Sequence, residues 1–291
     1  MSAIILCSTG ADCLCYIDLG KFALKKILYN LSNSQVGPHG IRSYENVILT
    51  ANNYNDTVSI FDKETLREIK SIRTGPKPND ILLIKDKILT ICGESNSLEI
   101  YDLEEERKSI EIPTGSWPHS IEYLDSNEIL FISNLEDHCI TIISNESYEV
   151  IGRLETPEYP TKVRLSKDKK FLYVCESYLG SDLDGFLDIF STNNLKRVNR
   201  VKVGAAPVDL ADDDNYIYIS NFTDGTITIV NKDSSKVEKT LYVGGMPKGI
   251  IKFDKYIYVA DYLKNRVIIL ENNKFKKVIA IEAEPNAMTI F

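Results

Sequence analysis

A proline in a similar setting recurs seven times along the chain. GPHGI, KPNDI, WPHSI, YPTKV, APVDL, MPKGI and EPNAM place it at Pro38, Pro78, Pro118, Pro160, Pro207, Pro247 and Pro285. The intervals are 40, 40, 42, 47, 40 and 38 residues. A unit of this size cannot bury an apolar face by itself, so repeats of this kind are stable only when packed against their neighbours. Inside each unit the order of segments is the same. A short apolar stretch follows the proline, and then comes an alternating run ending in a polar residue, as in Val47–Asn52 or Tyr216–Asn221. A turn of Asn, Asp or Gly leads to a second run such as Thr57–Asp62 or Thr226–Asn231, and a more polar segment closes the unit.

Period-two alternation with β-branched enrichment marks strands, and no long stripe of helical period is present. A period of about 40 residues is that of four-stranded propeller blades. The sequence therefore predicts an all-β fold, a seven-bladed β-propeller of four-stranded blades in a single domain over 1–291. The blades are expected at about 38–75, 78–115, 118–156, 160–204, 207–244 and 247–282, with a composite blade from 285–291 and 1–35. Counted from the proline, Phe291 stands where Tyr44 stands in the first complete unit, and Met1 stands where Glu45 does. The C-terminal strand 286–291 is thus expected to join N-terminal strands within 3–32 and close the ring, which hides edges that an open array would leave bare.

Three stretches carry a family likeness. ILTANNYNDTVSIFD, LFISNLEDHCITIIS and IYISNFTDGTITIVN resemble the YVTN-type β-propeller repeat, in which a strand ending in Asn precedes a turn and a T-V-S-V-like strand. The likeness runs over essentially the whole chain, although Ser8, Cys92, Glu176 and Asp261 replace the motif asparagine in four blades. Propellers of this type include surface-layer-like proteins, cofactor-carrying subunits, lactonase-like enzymes and binding proteins, so the resemblance implies a fold and leaves the activity to the site. The Pro-His pairs of GPHGI and WPHSI are similar to those of lactonase-like propellers.

Charge narrows the partners. The net charge is −8 with no basic stripe, which argues against nucleic acid. No segment approaches the roughly 18 apolar residues of a membrane span, and the N-terminus lacks the features of a signal peptide, so a cytoplasmic protein without membrane insertion is expected. Cys7, Cys13, Cys15, Cys92, Cys139 and Cys175 form no CxxC pair and read as buried free thiols.

Propeller connectivity brings the proline segments and the turns between second and third strands to one face. The residues after the prolines, His39, Asn79, His119, Thr161, Val208, Lys248 and Asn286, are expected as an inner ring. The second-strand ends, Ser8, Asn52, Cys92, Asn134, Glu176, Asn221 and Asp261, are expected as a ring outside it. Convergent polar groups in a concavity are what a ligand site needs. Asn52, Asn134 and Asn221 also have a structural reading, since Asn bonds to nearby backbone and suits turns. Trp117 stands on the same rim as a stacking platform or a cover for the blade junction.

Histidine titrates near neutral pH and binds metals, so His39 and His119 with Glu176 are the candidates for catalysis around a divalent metal. No other cofactor is indicated. An insertion in the fourth blade, SYLGSDLDGF, carries Asp182, Asp184 and Asp188, a weak likeness to a calcium loop that lacks its terminal glutamate. Asp12, Asp56, Glu94, Glu136, Asp137 and Asp224 belong to the same face against Lys264 and Arg266, a balance that would favour a cation or a basic peptide if these groups converged.

Three functions follow as expectations. The first is a non-catalytic platform that holds a protein or a small ligand on the funnel face. The second is a metal-assisted hydrolase or lyase of lactonase-like type. The third is a structural component of a surface assembly.

Overall fold

Tyr216–Asn221 and Thr226–Asn231 show how the repeat folds. They pair antiparallel in the register Ile217↔Val230 and Ile219↔Thr228, around a turn containing Gly225 at φ 66°. The outer strand Lys236–Tyr242 adds to Thr226–Asn231 and is almost wholly exposed. The inner strand Pro207–Asp212 adds on the other side. The computed structural model describes residues 2–29, 34–178, 180–181 and 183–291, and it repeats this four-stranded antiparallel sheet seven times. The result is a seven-bladed β-propeller. Blades one to six begin at Pro38, Pro78, Pro118, Tyr159, Pro207 and Pro247.

Blade seven closes the ring. Its inner strand is Pro285–Ile290, which pairs with Ala3–Ser8 through Ile4↔Ile290, Ile5↔Thr289 and Leu6↔Met288. Cys13–Asp18 and Ala23–Tyr29 complete that sheet. Both termini are thereby held in one blade.

Middle strands are packed on both faces, so they are buried along almost their whole length, as in Ala3–Ser8 and Cys13–Asp18. Seven apolar clusters fill the seven junctions between blades. At the junction of blades seven and one, Ile5, Leu14 and Tyr16 meet Ile41, Ile48 and Phe61. Burial of such side chains contributes about 1.5–3 kcal/mol each. All six cysteines are buried and free. Among the described residues, no helix is long and apolar enough to cross a membrane.

One irregularity recurs and positions the site. The register of every inner strand shifts just after its proline: between Pro38 and Gly40, Pro78 and Asp80, Pro118 and Ser120, Pro160 and Lys162, Pro207 and Asp209, and Pro247 and Ile250. In blade seven it falls between Ser8 and Leu6, opposite Pro285 and Met288. A β-bulge leaves one residue unpaired and re-aims its side chain.

Candidate functional site

The seven bulges surround a cavity of about 220 Å³ on the propeller axis. Its walls include His39, Asn79, His119, Thr161, Lys248 and Asn286, one position after the proline in six blades. Apolar wall comes from Ile41, Val208, Phe222 and Met288.

Most of the inner ring is tied together. His39 Nδ1 lies 2.9 Å from the carbonyl of Asn79, and the amide of Asn79 donates to the carbonyl of Pro118 at 2.8 Å. His119 Nδ1 lies 2.6 Å from the carbonyl of Thr161, whose hydroxyl donates to the carbonyl of Pro207 at 2.7 Å. Each side chain thus reaches the inner strand of the following blade. Across the closure, the Asn286 amide faces Thr9 Oγ1 at 3.4 Å, and that hydroxyl donates to the Pro38 carbonyl at 2.7 Å. The chain of bonds is broken on blades five and six. Val208 has no polar atom to offer, and Lys248 has no hydrogen-bond or ion-pair partner among the described residues.

A carbonyl at Nδ1 assigns the histidine proton to that atom and leaves Nε2 as an acceptor. The two rings stand edge to face with centroids 5.7 Å apart. Burial, then the charge of Lys248 and the neighbouring His119, push His39 down to about 3. Burial also lowers His119, to about 4, against the bond to the Thr161 carbonyl and with help from Lys248 and Lys162. Both imidazoles are therefore neutral at physiological pH. Burial pulls the Lys248 amine down to about 8, with Glu284 opposing. Its Nζ lies 5.1 Å above the ring of Tyr262, which packs against Phe222 at 5.8 Å.

Charge in the cavity is mainly positive. Arg42, Lys162 and Arg164 join Lys248 on its walls, opposite Asp80 and Asp209. Arg42 is held by Asp80 at 3.2 Å and by Glu122 at 3.1 Å, and Lys162 lies 3.7 Å from Asp80. Arg164 donates to the carbonyl of Leu210 at 2.5 Å. Both aspartates face backbone amides. Asp80 accepts from the amides of Ile81 at 2.9 Å and Ile121 at 3.3 Å. Asp209 accepts from the amides of Leu210 at 2.9 Å and Ile250 at 3.1 Å. Burial raises Asp80, but Arg42 and Lys162 outweigh it and hold the carboxylate at about 2.

Sequence reading missed Arg42, Lys162, Arg164, Asp80 and Asp209. The usable signal was a charge inside an otherwise apolar inner strand, two or four positions after the proline.

The other candidates do not border this cavity. Asn52, Asn134, Asn221 and Asp261 are fully buried. Asn52 Nδ2 donates to Ser59 Oγ at 2.7 Å, Asn134 Nδ2 to Thr141 Oγ1 at 2.8 Å, and Asn221 Nδ2 to Thr228 Oγ1 at 2.8 Å. Asp261 pairs with Arg266 at 2.7 Å. Trp117 is half-buried, and its backbone amide donates to Asn96 Oδ1 at 2.8 Å. Glu176 is buried on blade four, where it meets Arg200 at 2.7 Å and is raised by burial and by Asp188. Asp188 pairs with Arg197 at 2.9 Å, whereas Asp184 pairs with Lys202 at 2.5 Å. Asp182 lies outside the described residues.

Four turn aspartates on the funnel face are taken up by the crossovers between blades. Asp12 accepts the amides of Val36 and Gly37 at 2.9 and 2.8 Å, and Asp56 accepts that of Lys77 at 3.0 Å. Asp137 accepts the amide of Ser116 at 2.9 Å, and Asp224 that of Ala205 at 2.6 Å. Among the described residues, no group of three or more His, Cys, Asp or Glu side chains is placed to share a metal ion. His39 and His119 could supply two nitrogens.

No family model matches the chain, and no curated protein matches it. Solved structures do. A protein from Bacteroides fragilis, provisionally described as a 6-phosphogluconolactonase, is 17% identical and has a TM-score of 0.80, with 100% of this chain and 98% of that one covered. A protein of unknown function from Desulfotomaculum acetoxidans is 11% identical with a TM-score of 0.80, covering 99% and 98%. Kuenenia stuttgartiensis hydrazine synthase is 17% identical with a TM-score of 0.78, covering 90% and 92%. At these identities the likeness is one of fold.

Proposed function

We propose that this propeller, which we group with the YVTN-type repeats on its motifs, is a receptor for a small anionic metabolite held in the axial cavity. The observation that carries the reading is the cation set Arg42, Lys162, Arg164 and Lys248, facing two carboxylates that already accept backbone amides. A carboxylate or phosphate entering the cavity gains charge-assisted bonds, and the low dielectric around it strengthens them. The tied inner ring supplies a rigid frame, so little ordering accompanies binding. Six free, buried thiols support a reducing compartment as its place of work.

Titration calorimetry with a panel of sugar acids, sugar phosphates and short carboxylic acids tests this. At least one should bind, and Lys248→Met with Arg164→Met should weaken it by about tenfold or more. Uniform failure of the panel, or unchanged affinity in the double variant, would sink the reading.

A second reading, hydrolysis of a lactone, is favoured by the two neutral imidazoles with Nε2 open as acceptors. Such a group can accept a hydrogen bond from an attacking water and orient it, although at about 3 and about 4 it is a weak base. Turnover of aldonolactones, lost in His39→Gln or His119→Gln and compared with and without chelator, would support it. An inert protein at high concentration would remove it.

A further inference from the structure

Lys248 is the odd member of the inner ring. His39, Asn79, His119 and Thr161 each reach backbone of the following blade, and Asn286 does so through Thr9. Of the four cavity cations, Arg42, Lys162 and Arg164 each have a carboxylate or carbonyl partner. The Lys248 amine has none among the described residues, although it stands in the cavity wall beside the Phe222–Tyr262 pair. A structural lysine would be expected to find a partner.

We propose that Lys248 is a nucleophilic amine that condenses reversibly with the carbonyl carbon of a small oxo acid in the axial cavity. The inference rests on the anion-binding reading above and adds a covalent step to it. The acid group of such a ligand meets Lys162 or Arg164, while its carbonyl is offered to Nζ. The nitrogen lone pair forms the C–N bond as the carbonyl π pair moves to oxygen. Nitrogen loses two protons in succession, each passed through cavity water to that oxygen, and the C–O bond breaks as the oxygen leaves as water. Amine and carbonyl become imine and one water, with nothing oxidised or reduced. Lysine does this chemistry when its surroundings keep the amine neutral, by desolvation or a nearby cation. With the amine held at about 8, its neutral fraction at neutral pH is a few-hundredfold that of a free lysine, by the order of magnitude a shift of this size implies.

The test is reductive trapping. The full chain is incubated with glyoxylate or pyruvate and cyanoborohydride, and then read by intact mass and peptide mapping. One adduct per chain is expected, at Lys248, about tenfold or more above any other lysine. Its rate should be half-maximal near pH 8. Lys248→Arg should lose the adduct while keeping its unfolding midpoint. No adduct at Lys248, or labelling spread evenly over surface lysines, overturns the inference. If the acids bind without an adduct, the covalent step fails and the receptor stands. An adduct at Lys248 that carboxylates and phosphates do not compete away supports the amine chemistry and sinks the anion site.

Discussion

The imidazoles of His39 and His119 stand edge to face at 5.7 Å, although the two residues are 80 positions apart and on blades one and three. Each donates Nδ1–H to a carbonyl of the blade that follows its own. The pair is therefore both cavity wall and part of the frame that fixes the spacing of inner strands.

This pair should make stability acid-sensitive. An unfolded histidine takes up its proton near pH 6.5, whereas the folded pair does so only at about 4 and about 3. Between those limits the unfolded chain binds more protons. The pair's contribution is thus fully present above about pH 6.5 and lost as pH falls through the folded values. The thermal midpoint should drop on acidification, and the slope should flatten in His39→Gln/His119→Gln. An unchanged slope in that variant would locate the acid sensitivity elsewhere.

Blade four carries a buried acid pair whose members should respond differently to substitution. Glu176 and Asp188 are both fully buried, and Arg200 reaches both, at 2.7 and 3.3 Å. Glu176 Oε1 has no hydrogen-bond partner, which a proton on that oxygen, donated toward Asp188, would resolve. Glu176→Gln should then stay within about 1 kcal/mol of the parent, because it replaces a neutral acid by a neutral amide. Arg200→Met should cost about 1–3 kcal/mol, since it leaves the buried Glu176 Oε2 without its donor while Asp188 keeps Arg197. Urea unfolding of the two variants separates them, and equal losses would overturn the protonation assigned to Glu176.

Inner strands approach closely where the repeat places glycine two positions after the proline. A Cβ on Gly249 would stand 2.3 Å from the carbonyl of Asn286, and one on Gly40 would stand 2.6 Å from that of Asn79. Gly249→Val should therefore destabilise by about 1–3 kcal/mol. Gly152→Ala, whose Cβ would meet only Ile142 at an ordinary 3.7 Å, should change stability by less than about 0.5 kcal/mol. Calorimetric melting of both variants checks the difference.

Ring closure depends on Pro285–Ile290 pairing with Ala3–Ser8. Deleting 285–291 removes the inner strand of blade seven and bares one edge of Ala3–Ser8. Exposed edges recruit other chains, so the truncated protein should associate, as read by light scattering on a sizing column. A monodisperse monomer with the parent's unfolding midpoint would show that closure contributes little.

Seven copies of one pattern made the architecture legible. Alternation, turn residues and the proline spacing are local properties, and repetition compensates for the weakness of each. The match between the positions of Phe291 and Met1 foretold the composite blade for the same reason. The inner-ring residues His39, Asn79, His119, Thr161, Lys248 and Asn286 could be named because they keep one place in the repeat.

The electrostatics could not be read this way. Turn aspartates such as Asp12 and Asp56 dominate the face in the sequence, but backbone amides at the crossovers take them up. Arg42 and Glu122 read as ordinary inner-strand charges, yet they are brought together at 3.1 Å near the axis. The bulge after each proline shifts the inner strand's register, and register decides which way a side chain faces. By itself the sequence determined the blades, their number and their closure. Tertiary structure alone decided that a cavity lined by cations lies on the axis and that Lys248 has no hydrogen-bond or ion-pair partner there among the described residues, because both depend on which side chains from different blades converge.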